Sequence, residues 1–80
     1  MSYNYIYSRK NFRIIKIKDN VYIVYNINKP FKKGHTHVNN YFIAKAIIEY
    51  CVTGRFSKRT RHLAKNKYIM RSIERVIDKE

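Results

Sequence analysis

FRIIKIKDNVYIVYNI, residues 12–27, decides the fold. Two runs rich in β-branched and aromatic side chains, 12–18 and 21–27, flank Asp19 and Asn20, residues that both tolerate positive φ. The stretch predicts a β-hairpin with a two-residue turn; the usual glycine is missing, which leaves room for a slightly longer one. At a period of two, Ile15 and Ile17 share one face of the first strand while Lys16 and Lys18 project from the other. In the second strand Val21, Ile23, Tyr25 and Ile27 share a face. The expected sheet has one core face and one partly basic face.

Upstream, Tyr3, Tyr5 and Tyr7 alternate and predict a third strand with its tyrosines on one face. Such rings pack over a core or a dimer seam, so a homodimer is compatible with them; a platform for stacking bases is the alternative use. Downstream, NKPFKKGHTH breaks the pattern with Pro30 and Gly34 and reads as a loop of about ten residues. Asn39 or Asn40 then caps a helix to about residue 53, with Tyr41, Ala44, Ile47, Ile48, Cys51 and Val52 at helical spacing and Gly54 as its stop. Ser57 is placed to cap a short second helix, and Asn66 a third whose buried stripe is Ile69, Ile73, Val76 and Ile77. Tyr41, Tyr50 and Tyr68 fall on or near these stripes and count as core. Strands first and helices after predict an α+β fold: a three-stranded antiparallel sheet followed by two to three helices on one face. No repeat, low-complexity tract or linker divides the chain, so residues 1–80 read as one small basic domain.

A chain of 80 residues buries only about 60% of its unfolded surface, so the core is small. With 45% hydrophobic and 15% aromatic residues, the net charge of +13 belongs to a folded module and not to a disordered tail. A lone cysteine, Cys51, excludes an internal disulfide and a cysteine-built zinc site, which points to the cytoplasm. No run approaches the roughly 18 apolar residues of a membrane span, and MSYNYIYSRK lacks the signal-peptide pattern, so no membrane partner is expected. Ile, Lys, Asn and Tyr make up 39 of 80 residues, and their A- and T-rich codons indicate an AT-rich source such as a phage or mobile element. Codon bias alone would scatter lysine evenly and would not favour arginine. Instead the net charge is +5 over 1–30, +2 over 31–54 and +6 over 55–80, and arginine supplies five of the nine cations in the last segment.

That last segment opens with GRFSKRTRHLAKNK, residues 54–67, where Arg55, Lys58, Arg59, Arg61, His62, Lys65 and Lys67 occur without an acid. In an α-helix over 57–65, at about 100° per residue, Lys58, Arg61, His62 and Lys65 fall within one narrow arc, opposite Phe56, Thr60, Leu63 and Ala64. Aligned like charges repel unless a polyanion faces them, although many charge runs are only solvated faces. Nucleic acid is the leading partner, because neutralised phosphates release counterions and arginine's planar fork suits phosphate oxygens. Arg13, Lys16 and Lys18 on the hairpin form a second contact. The expected function is non-enzymatic binding of DNA or RNA, without cofactor or metal. One alternative uses the same cations against an acidic protein, as in a mobile-element regulator or inhibitor of a nucleic-acid-processing complex.

A second alternative starts from GHTHV, where His35 and His37 project to one side of an extended segment, a spacing found in metal and nuclease sites. His37 as base, with a lysine or arginine at the phosphate, describes a small basic ribonuclease-type toxin. A zinc ion would need its third ligand from Cys51, His62 or Glu49, and the acids are too scattered for a carboxylate cluster. The element order of the whole, sheet then helix, resembles the arm-binding domains of phage integrases and related plant transcription-factor domains. That resemblance implies a sheet laid in the major groove, with Arg13, Lys16 and Lys18 among the DNA contacts.

Overall fold

The computed structural model describes residues 5–77, so Tyr3 of the tyrosine strand lies outside the described residues. Strands β1 (Tyr5–Arg9), β2 (Phe12–Lys18), β3 (Val21–Asn26) and β4 (His35–Val38) form an antiparallel meander in the order β1-β2-β3-β4. Helices α1 (Tyr41–Thr53) and α2 (Lys67–Val76) follow, separated by a 3₁₀ helix at Arg61–Lys65. The fold is α+β with an antiparallel sheet before its helices, and the sheet has four strands where three were expected.

The extra strand comes from the segment read as loop. Pro30 and Gly34 interrupt extended structure only as far as residue 34: the Gly34 amide donates to the Pro30 carbonyl (2.9 Å), and the Gly34 carbonyl accepts from the Asn26 amide (3.0 Å). This turn returns the chain to β3, where His35 pairs with Tyr25 and His37 with Ile23. Four residues, His-Thr-His-Val, are too few and too polar to announce a strand by alternation. The central hairpin forms as expected, with Lys18 opposite Val21, and Asn20 takes the left-handed conformation (φ 62°). A register shift between Lys16 and Lys18 supplies the extra length that the missing glycine demands.

The helices cover the face expected to be partly basic. Phe12, Ile14 and Val24 pack with Ala44, Ile47 and Ile48 of α1, with Leu63, and with Ile69, Ile73 and Val76 of α2. Ile15, Ile17, Ile23 and Tyr25, read as core, point to the side away from the helices. Apolar residues of both parities occupy β2, so periodicity alone does not choose between its faces. Polar groups on α2 make the choice: Asn26 Nδ2 donates to the Val76 carbonyl (2.8 Å), and Thr36 Oγ1 donates to Ser72 Oγ (2.8 Å). A bulge between Tyr5 and Tyr7 also breaks the tyrosine alternation. Tyr7 turns toward α1, with Lys45 Nζ 5.2 Å from its ring centre, whereas Tyr5 lies on the far face 6.3 Å from Tyr25.

Helix α1 begins and ends at the residues the sequence marks, and α2 begins at its marked cap but stops at Val76, leaving Ile77 of the expected stripe in extended backbone. Asn40 Oδ1 accepts from the Phe42 and Ile43 amides (2.8 and 3.2 Å), and Gly54 ends α1 at φ 84° with its amide on the Tyr50 carbonyl. Asn66 Oδ1 accepts from the Tyr68 and Ile69 amides (2.9 and 3.2 Å). No α-helix forms over 57–65. Ser57 does not act as a cap; its amide donates to Glu49 Oε1 (3.0 Å), and its hydroxyl lies 3.1 Å from that of Thr60. Residues 58–60 are a turn, and the chain then stretches into the 3₁₀ helix, whose rise of about 2.0 Å per residue covers more ground than an α-helix. Among the described residues no helix is long and apolar enough to cross a membrane.

Candidate nucleic-acid interface

Residues 54–66 run back along α1, from its end to its start. Phe56 packs on Tyr50 near the end (ring centres 4.8 Å apart), and Leu63 lines a recess of about 340 Å³ with Asn40, Phe42 and Ile43 at the start. The connector therefore delivers α2 beside the beginning of α1. Asn39, Ile43, Asn66 and Tyr68 line one cleft of about 480 Å³, while Cys51, Val52 and Ile77 meet at the opposite end of the helical layer. The two helices run in the same sense, so both positive dipole ends emerge at one place, and neither has an acid in its first turn.

Arg55, Lys58, Arg59, Arg61, His62, Lys65 and Lys67 are all exposed along this connector and at the start of α2. The predicted arc of four is not there. At three residues per turn, His62 and Lys65 align, Arg61 points along a second line with Ala64, and the third line belongs to buried Leu63. Lys58 sits in the preceding turn. The result is a fan of cations around the helix starts and not a single stripe.

Structure adds members that sequence reading missed. Arg9 of β1 and Lys45 of α1 share a recess of about 170 Å³ with Arg59, Phe42 and Thr60. Neither cation belongs to a charge run, so only the fold reveals that they reach the connector. Phe42 and Tyr68, in the first turns of α1 and α2, are 77% and 81% exposed; Tyr68 is not core as its position near the stripe suggests. Arg59 and His62 share the recess at the start of α1 with Phe42, so cation and ring lie side by side.

The hairpin cations do not share one surface. Arg13 lies on the far sheet face, its guanidinium carbon 5.7 Å from the Tyr5 ring centre and its Nη1 donating to the Lys10 and Phe12 carbonyls (2.7 and 2.9 Å). Lys16 pairs with Asp19 at 3.4 Å, and Lys18 is exposed at the end of β2.

That far face is aromatic and aliphatic. Tyr5, Ile15, Ile23 and His37 form one row across all four strands, and Arg13, Tyr25 and His35 another. The first row and Tyr25, with Ile17, Val21 and Phe31, surround a shallow concavity of about 610 Å³. Burial, reinforced by a hydrogen bond with Tyr5 and opposed by Arg13, pushes the Tyr25 hydroxyl up to about 12. His35 Nδ1 donates to the Phe31 carbonyl (2.5 Å), and its ring stacks on Phe31 at 4.4 Å; His37 meets it edge-on at 5.1 Å. Both histidines share one side, as their spacing requires. Among the described residues no three or more of His, Cys, Asp and Glu are grouped to hold a metal ion.

Comparison with known proteins finds no matching family model, curated protein or solved structure. The resemblance in element order to integrase arm-binding domains thus stands without a structural counterpart. Its expected row of hairpin cations is divided between the two sides of the sheet.

Proposed function

We propose that the protein binds nucleic acid without chemical conversion, holding backbone phosphates where the 55–67 connector meets the starts of α1 and α2. One observation carries this reading: two acid-free helix starts converge with Arg59, Arg61, His62, Lys65 and Lys67 at one end of the helical layer. Asn40 and Asn66 already occupy the first-turn amides, so it is the paired positive dipole ends that favour an anion there, and arginine adds paired donors of matching geometry. One acid, Glu49, lines the recess of Arg9, Lys45 and Arg59 and accepts from the Ser57 amide, while Asp19 pairs with Lys16. A single carboxylate among three cations leaves that recess net positive. Contacts of this kind position a nucleic acid and do not by themselves read its sequence.

With about five phosphates neutralised, the logarithm of duplex affinity should fall with log salt at a slope of about 4 to 5. Replacing Lys58, Arg61 and Lys65 together by glutamine should lower that slope by about two to three and weaken binding at least about tenfold. Exposed Lys10, Lys33 and Arg75 serve as a charge-matched control that should cost much less. Lys29 is unsuitable as a control, since its Nζ donates to the Arg75 and Ile77 carbonyls (3.0 Å each). No binding at low salt, or equal losses from both triples, would refute a localised grip.

A further inference from the structure

We infer that the sheet face turned away from the helices stacks unpaired nucleobases, so that single-stranded nucleic acid is the preferred partner; this rests on the nucleic-acid reading of the connector. Phe31, from the turn before β4, reaches over that face against Tyr25 and His35. A continuous ribbon of rings crosses it: Tyr5 to Tyr25 at 6.3 Å, Tyr25 to Phe31 at 5.5 Å, Phe31 to His35 at 4.4 Å and His35 to His37 at 5.1 Å. Tyr5 is 58% exposed and Phe31 47%, which leaves ring surface free near both ends of the concavity. An apolar patch of this kind on a folded protein marks a contact surface.

Charge selects the occupant. A second copy would bring another +13 against the first, and that repulsion opposes a sheet-to-sheet dimer, whereas a polyanion is attracted. Cations also stand beside the rings, with Arg13 over Tyr5 and with Lys32 next to Phe31 in the chain. Alternating rings and cations suit a single strand, whose bases are free to stack while its phosphates are neutralised. A duplex offers no such bases, because its own are already stacked inside. The two surfaces are also continuous: Val21 and His37 line both the sheet concavity and the cleft at the start of α2. A strand gripped at the connector can therefore pass over the sheet edge onto the rings.

The test uses a labelled oligothymidylate of about 16 nucleotides, near the upper site size of one single-strand-binding fold, and a duplex of equal length. Wild type should bind the single strand at least about tenfold more tightly, and Tyr5→Leu combined with Phe31→Leu should remove that advantage while leaving duplex affinity unchanged. Circular dichroism checks the fold of the variant. Tyrosine fluorescence of the wild type gives a readout that needs no variant: the single strand should quench it more deeply than the duplex, which reaches Tyr68 at the grip but not the rings of the sheet. Wild type that binds both probes equally, or a folded variant that keeps its single-strand affinity, would overturn the sheet inference while the connector grip survives. Absence of binding to either probe would remove both readings. Sedimentation as a dimer that the double substitution splits would assign the face to a second copy and overturn the proposal.

Discussion

Asn26 is fully buried in a small core, yet each polar atom of its side chain is used. Its Nδ2 donates to the Val76 carbonyl, and its Oδ1 accepts from Asn11 Nδ2 (2.7 Å) and the Asn28 amide (2.8 Å). One side chain thus ties the end of α2 to both turns at that edge of the sheet. Asn26→Ala should lower unfolding free energy by about 2 to 4 kcal/mol in urea titration, because several buried partners lose their bonds at once. A loss under about 1 kcal/mol would show that water replaces the amide. Tyr25 gives a second expectation at this scale. Its folded pKa, about 12, stands above the ordinary 10, so the unfolded chain releases this proton first and stability should fall as pH rises through that window. Tyr25→Phe should flatten the decline, and the last component of the tyrosinate absorbance titration should vanish with it. Caps such as Asn40, Asn66 and Gly54 were legible because their partners lie within four residues. The role of Asn26 was not, since its partner on α2 is 50 positions away.

Among the elements, the turn before β4 depends on close approach. A Cβ built on Gly34 would lie 2.6 Å from Lys29 Cβ, a contact that atom cannot yield without moving the backbone. Lys29 in turn closes the last carbonyls of α2. Gly34→Ala should therefore cost about 1 to 3 kcal/mol, as overpacking does, and should first loosen the last turn of α2 in amide exchange. Retained protection there, with stability unchanged, would mean that the turn absorbs the methyl group. The hairpin and both helices were readable from periodicity and caps, which are local. Three elements were not. The four residues of β4, three of them polar, gain strand geometry by pairing with β3, the bulge in β1 is imposed by its register on β2, and the connector follows anchors at Glu49, Phe56 and Leu63. Each is set by contacts that a spacing pattern does not contain.

For the whole molecule, the +13 charge works against compaction, most of all where the connector cations crowd the helix starts. Moderate salt should raise the thermal midpoint, and the Lys58, Arg61 and Lys65 to glutamine triple should show a flatter response. A midpoint that drops with salt would point instead to attractive pairs, of which the described surface shows one exposed example, Lys16 with Asp19. The location of the basic segment was plain in the sequence; its partners Arg9 and Lys45 were not, nor was the sheet face that the helices leave open. Both depend on which side of β2 packs inward, and that strand is apolar on both.

The shared sense of α1 and α2 has a kinetic side. In an antiparallel helical hairpin the two dipoles largely cancel, but here they add, and the connector places its cations at the positive end. The molecule is consequently polarised along its helical layer and should turn that end toward a polyanion before touching it. Orientation during approach enlarges the fraction of collisions that succeed. Salt should then slow association far more than it speeds dissociation, a division that stopped-flow mixing would resolve.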